Sequence, residues 1–312
     1  MNLHEQGQSF KTLSNRSYLG VKGVELFDSG KPGPTLGITI QTHGNEPVGL
    51  AVYPYLKKVF SSRQGLLKGK VFVVLNNLRA SRRYFEAMNR GDKAKMEKAR
   101  SVDVNMNRLP TEKLDDPECK LYEVVRARQL MPIWKQFDYG LDLHSTSQKS
   151  NPMIVALDRS DLSLIDRLPF RDVISNIDKV QIGTPACALY GGGKSSIFGL
   201  EAGQHTGKDS FQKAKVSVQV LLGLLGMVKM KEYPKKSRKD VYRVFDSIIP
   251  TDRSFKLAKT FKTYEKISKG QLMAFSHAGD IIAQEDCLAL FGRDSKLEVH
   301  LNEEVLFLAK KL

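Results

Sequence analysis

Long apolar runs are missing from this 312-residue chain. None approaches the roughly 20 residues needed to cross a bilayer, which excludes a helical membrane span. The first residues, 1–11, are polar and lack the apolar core of a signal peptide. Cysteine is scarce: Cys119, Cys187 and Cys287 are far apart, odd in number and without a CxxC pair. That excludes a disulfide scaffold and favours a reducing, cytoplasmic setting. Acidic residues are the minority, 34 against 49 Lys and Arg, for a formal net charge of +15. Such a balance can serve nucleic acid, an anionic surface or an acidic small substrate. The basic residues are nevertheless spread along the chain with no nucleic-acid motif. The densest run, residues 229–239, contains Pro234 and reads as a solvated linker. Neither a nucleic-acid nor a membrane partner is therefore expected, and a homo-oligomer is left open. Internal repeats and low-complexity tracts are absent, as is the H-E-x-x-H string of helix-borne zinc sites.

What is present is ordinary globular composition, 41% hydrophobic and 27% charged. The length points to one large domain plus a smaller one, with boundaries read at residues 1–232 and 240–312. The first two-thirds alternate short β-branched runs with helical periodicity, the texture of an α/β sheet. Strands are expected at 35–41, 71–75, 140–144, 153–157, 179–182 and 195–201, and helices at 121–137 and 209–230. A helix is also expected over 47–60, capped by Asn45, started by Pro47 and kinked at Pro54. Beyond residue 240, short strand-like runs split by turn residues (241–249, 255–261, 272–276, 279–284, 287–291, 304–309) predict a small all-β domain.

The most informative string is His43-Gly44-Asn45-Glu46, joined much later by Asp142-Leu143-His144. Two imidazoles and one carboxylate form a ligand set that holds a catalytic zinc and leaves a position open for water. The short first spacing and the distant second histidine fit the carboxypeptidase arrangement. His43 is expected just after a strand, Glu46 in the first turn of the next helix, with Gly44 allowing the bend between them. In open α/β sheets, ligands bind at such carboxyl ends of strands.

Zinc chemistry also needs a base, an oxyanion donor and a substrate grip. Glu201, at the end of a strand-like segment after the glycine-rich Gly191-Gly192-Gly193, could be the base; taken alone, a strand-end Glu is more often a solvated residue. Arg82, Arg83, Asn107 and Arg108 could grip a carboxylate or face an oxyanion, although any one of the arginines taken alone reads as a surface residue of a basic chain. Asp142 lies two before His144 on the same face of a strand. It could orient the imidazole or cap a nearby turn. His205 reads as a polar loop residue, and His4, His277 and His300 as structural or surface histidines.

Taken in order, His43 to Glu46, Asn77-Leu78-Arg79-Ala80 with Arg83-Tyr84, Asn107-Arg108, Asp142 to His144 and Glu201-Ala202-Gly203 resemble the succinylglutamate desuccinylase/aspartoacylase family. That family belongs to the zinc carboxypeptidase superfamily. The resemblance covers roughly residues 35–205, and the tail containing Gly279 to Ala283 resembles the smaller β domain of these deacylases. It implies a mixed sheet flanked by helices and one zinc per chain, held by His43, Glu46 and His144. It implies Glu201 as general base, Arg83 polarising the scissile carbonyl, and Asn107 and Arg108 binding a substrate carboxylate. The activity implied is hydrolysis of the amide of a small anionic N-acyl amino acid, with no cofactor beyond zinc.

Departures from the family pattern are Leu78 where Pro is usual, Asn105 where an aspartate is usual, and a charged insert at 89–100. They leave Arg82 and Arg83 free to exchange roles. Two other functions fit less well: a metallo-carboxypeptidase acting on peptides, and a zinc-stabilised binding protein with no turnover.

Overall fold

Residues 2–62, 65–296 and 301–312 are described by the computed structural model, so His300 lies outside the described residues. The chain divides into two units, Met1–Arg171 with Gly183–Lys239, and Asp172–Ile182 with Asp240–Leu312. The second unit thus draws in a segment from the middle of the chain that a cut between 232 and 240 does not anticipate.

The first unit is built on β1 (Val24–Asp28), β2 (Thr35–Ile40), β3 (Lys70–Leu75), β4 (Tyr139–Thr146), β5 (Met153–Ala156) and β6 (Ser196–Gln204). Their spatial order is β5-β6-β4-β2-β3-β1. The four central strands run parallel, while β5 and β1 pair antiparallel. After its first residue, each of β2 and β3 is buried throughout, the near-continuous apolar pattern of a sheet covered on both faces. Five longer helices accompany the sheet: α1 (Leu3–Ser14), α2 (Val52–Phe60), α3 (Leu78–Asn89), α4 (Tyr122–Trp134) and α5 (Lys208–Leu224). On α4, Val124, Ala127, Leu130, Ile133 and Trp134 share one face and pack with Phe72, Val74, Phe137 and Ile197. Each of the Val, Leu, Ile and Phe side chains among these, fully buried, contributes about 1.5–3 kcal/mol. No helix among the described residues is long and apolar enough to cross a membrane.

Several local expectations change for identifiable reasons. The run 47–60 is a 3₁₀ turn, Pro47–Ala51, followed by α2, and its N-cap is Glu46 rather than Asn45. Pro54 then falls in the first turn of α2, where a missing N–H breaks no bond of that helix. The strand expected at 179–182 is instead a helical turn, Ile177–Val180, entered through Asn176 at φ 67°; the strand of that region is Asp172–Ser175. α5 stops at Leu224 because Gly226 adopts φ 66°. Met227 N–H then bonds Leu222 O and Gly226 N–H bonds Gly223 O, the paired bonds of a glycine C-cap. The polar start of the chain forms α1, stabilised by reciprocal Asn2 and Glu5 capping bonds.

In the second unit Asp240–Ile248 pairs parallel with Asp172–Ser175 and antiparallel with Leu306–Lys311. Cys287–Leu290 and Lys266–Ile267 extend that sheet, and a second sheet of three short strands accompanies it. Its own core gathers Phe255, Leu257, Phe261, Ile267, Met273 and Leu306. The molecule is therefore α/β with a mixed, helix-flanked sheet and a smaller, largely antiparallel β part, the fold class expected from the sequence.

Candidate metal centre

The first half of the centre hangs on the loop after β2. Gln41 turns the chain with φ 51°, and its Nε2 donates to Gly44 O at 2.8 Å, tying the loop three residues on. Gly44 is needed for space and not for the positive φ expected of a bend. A Cβ there would lie 2.3 Å from Ala99 O and 2.4 Å from Ala80 C, both backbone atoms. This close approach lets Gly44 N–H donate to Arg100 O at 2.9 Å. His43 and Glu46 follow, both buried.

The second half is set by strand register. His144 on β4 is the direct Cα partner of Glu201 on β6. Neighbours in a ladder project to the same side of the sheet, so the third candidate ligand and the candidate base stand beside each other.

These segments bring His43, Glu46 and His144 together, with one ligand atom from each lying within 4.8 Å of the others. Glu46 Oε1 faces His43 Nδ1 at 2.8 Å and Oε2 faces His144 Nδ1 at 2.9 Å. Each Nε2 turns outward to its own acceptor: His43 to Asn105 Oδ1 at 2.9 Å, His144 to Asp142 Oδ2 at 3.0 Å. The donor set therefore suits a divalent cation. With the Nε2 protons held by these acceptors, both Nδ1 lone pairs are free for a metal shared with Glu46. Glu201 adds a second sign, since its Oε2 is sealed from solvent and has no hydrogen-bond partner.

Asp142 is the orienting carboxylate, not a turn cap. Its Oδ1 accepts the hydroxyls of Thr39 at 2.8 Å and Thr42 at 2.9 Å. Behind them Tyr190 donates to Thr39, and Asn76 Nδ2 donates to both Thr42 and Tyr190. The residue before Gly191-Gly192-Gly193 thus serves the network behind His144.

Electrostatics separates the two imidazoles. Burial disfavours charge on both, but the carboxylates of Asp142 and Glu46 overcome it at His144 and raise its pKa well above the usual value. At His43 burial wins, helped by the charge of Arg100, and the pKa falls. Glu46, although buried, is held well below the usual carboxylate range by the two histidines. Burial pushes the Glu201 carboxyl up to about 8, with Glu46 adding to the rise and His144 opposing it. His205, read from sequence as a polar loop residue, meets Ser145 Oγ through Nδ1 at 2.8 Å, and burial lowers its pKa to about 4. His4 and His277 are exposed.

The arginines divide differently from the sequence reading. Arg82 and Arg83 are both exposed on α3. Arg100 reaches the centre, its Nη1 donating to Glu46 Oε1 at 2.9 Å. It closes the charged insert, which carries the short helix Lys93–Lys98. A run of charges reads as a solvated surface, so nothing in the composition singles out Arg100. Asn107 Nδ2 lies 3.3 Å from His144 Nε2, and the Asn107 Oδ1 is buried without a partner. Arg108 Nη1 donates to Asn107 O at 2.7 Å. Asn105, noted in the sequence only as a departure, proves to be the partner of His43.

No curated protein sequence matches the chain. Among solved structures, succinylglutamate desuccinylase from Vibrio cholerae superposes with a TM-score of 0.67 at 16% identity, over 92% of this chain and 85% of that one. The succinylglutamate desuccinylase from Chromobacterium violaceum gives 0.65 at 15% identity, over 99% and 98%. Murine aminoacylase 3 gives 0.58 at 20% identity, over 90% and 96%. These likenesses establish a shared fold. The family model for the Succinylglutamate desuccinylase/Aspartoacylase catalytic domain matches residues 32–173. That segment, a little under half of the chain, carries His43, Glu46, Arg100, Asn105 and His144.

Proposed function

We propose that this chain is a zinc-dependent amidohydrolase that deacylates a small anionic N-acyl amino acid. The observation that carries the reading is the meeting of His43, Glu46 and His144 with Glu201 in register beside His144. Held by these three side chains, zinc would supply a Lewis acid and lower the pKa of water to about 7.

The chain's own groups account for the remaining work. Glu201 takes a proton from the attacking water at its carboxylate and delivers it to the departing nitrogen, so that the C–N bond breaks as the new C–O bond is completed. Its buried, unpartnered Oε2 suits a group that must exchange a proton rather than hold a fixed partner. To Arg100 we assign the carbonyl-facing role that the motif resemblance gives to Arg83. Arg100 lies against Glu46, whereas Arg83 points to solvent on α3. A guanidinium placed there stabilises the developing oxyanion. Asn107, next to His144, and the neighbouring Arg108 hold a substrate carboxylate. The basic balance of the chain favours an anionic substrate reaching this site.

The test is release of primary amine by zinc-loaded protein from a panel of N-acyl amino acids and C-terminal peptides, with Glu201→Gln as the blank. Release from N-acyl amino acids that vanishes in the blank is expected. Release from peptides alone, or equal release by the blank, would overturn the proposal.

A further inference from the structure

Asn105 and Asp142 occupy corresponding places on the two sides of the centre and differ in charge. Asn105 is 5% exposed and Asp142 1%. Each offers one oxygen to the Nε2 of a ligand imidazole, at 2.9 Å and 3.0 Å. The amide orientation of Asn105 is fixed by a second donor, since Asn107 N–H reaches the same Oδ1 at 2.8 Å. Two donors converge on that atom, so it must be the carbonyl oxygen and not the amide nitrogen. His144 is therefore backed by an anion and His43 by a neutral dipole.

A backing carboxylate strengthens an imidazole as a metal ligand, both by withdrawing its Nε2 proton and by adding negative charge near the cation. A neutral oxygen supplies the orientation without the charge. We propose that Asn105 is a positioning residue that holds His43 for a divalent cation while deliberately weakening its hold. The centre consequently binds the cation less tightly, and leaves it more positive, than two carboxylate-backed histidines would. The inference rests on the metal reading of the site given above. The chemical consequence is a more electrophilic cation beside Arg100, favouring carbonyl polarisation at the expense of affinity.

Competition for zinc against a chromophoric chelator, at neutral pH and fixed salt, tests this on the full-length protein. Changes to such outer partners alter metal affinity by about 10–100-fold. Asn105→Asp is expected to bind zinc tighter by about that factor, a gain that structural damage would not produce. Asp142→Asn is expected to bind more weakly by a similar factor, because both histidines would then rest on neutral amides. Asn105→Asp at or below wild-type affinity overturns the inference. Should that variant fail to fold, Asp142→Asn with unchanged affinity overturns it equally. A wild-type protein that takes no zinc would bring down the metal reading itself, a result distinguishable from wild-type binding that Asn105→Asp leaves unmoved.

Discussion

Gly44→Ala is the sharpest perturbation the centre offers. The added methyl would sit 2.3 Å from Ala99 O, 2.4 Å from Ala80 C and 2.6 Å from Ala80 O. All three are backbone atoms, on the two segments that carry Ala80 and Ala99, so no side-chain rotation relieves the clash. Overpacking of this kind costs about 1–3 kcal/mol. The segment easiest to displace is the end of the insert, whose Arg100 O would lose the Gly44 N–H bond, worth about 0.5–1.5 kcal/mol. The two effects together predict a loss of roughly 2–4 kcal/mol in urea unfolding. Because Arg100 moves with that segment, kcat should fall by at least about tenfold, which corresponds to 1.4 kcal/mol of transition-state stabilisation. Zinc affinity should change much less, since His43, Glu46 and His144 are not on the displaced segment. An alanine variant within 0.5 kcal/mol of wild type and with wild-type kcat would refute the reasoning that close approach, rather than backbone freedom, selects glycine here.

Arg100→Ala should lose most turnover while retaining zinc, whereas Arg83→Ala should behave as wild type; steady-state kinetics on one substrate decides, and the reverse ranking would return the carbonyl role to Arg83. Glu201 gives a prediction on pH. Its folded-state pKa, about 8, is raised above the ordinary 4.5, so burying it in the protonated form costs no ionisation energy at low pH. The stability it contributes is present below about 4.5 and lost as pH rises through about 8. Metal-stripped wild type should therefore lose on the order of a few kcal/mol between those limits relative to Glu201→Gln. Parallel pH dependences of Tm for the two proteins would exclude the effect.

The features legible in the sequence were those written in local periodicity or in residue type. The buried runs of β2 and β3, the face of α4 and the all-β tail follow from apolar spacing that tertiary packing did not override. The candidate ligand set was legible because imidazole and carboxylate at the spacing of His43, Glu46 and His144 have few other uses, and these three side chains do meet. What was hidden depends on approach between distant segments. Arg100 looks like any cation in a charged insert until its carbonyl is found bonded to Gly44. Asn105 carries no signal of its own until His43 Nε2 is seen to need an acceptor. Strand Asp172–Ser175 is hidden because Asn176, in a left-handed conformation, ends it and starts a helical turn at once. A left-handed asparagine cannot be told from an ordinary one by sequence alone.

The pairing of His144 with Glu201 has a further consequence. Side chains alternate faces along a strand, so a slip of β6 by one residue against β4 would carry Glu201 to the opposite side of the sheet and bring Leu200 or Ala202 in its place. No intermediate register leaves the carboxylate slightly misplaced. Assembly of this half of the centre is digital: a correctly registered ladder delivers the Glu201 carboxylate in full, and a misregistered one delivers none. Variants that disturb β4–β6 pairing should accordingly yield mixtures of fully competent and wholly inert molecules, and active-site titration would register them as a reduced count rather than a slower enzyme.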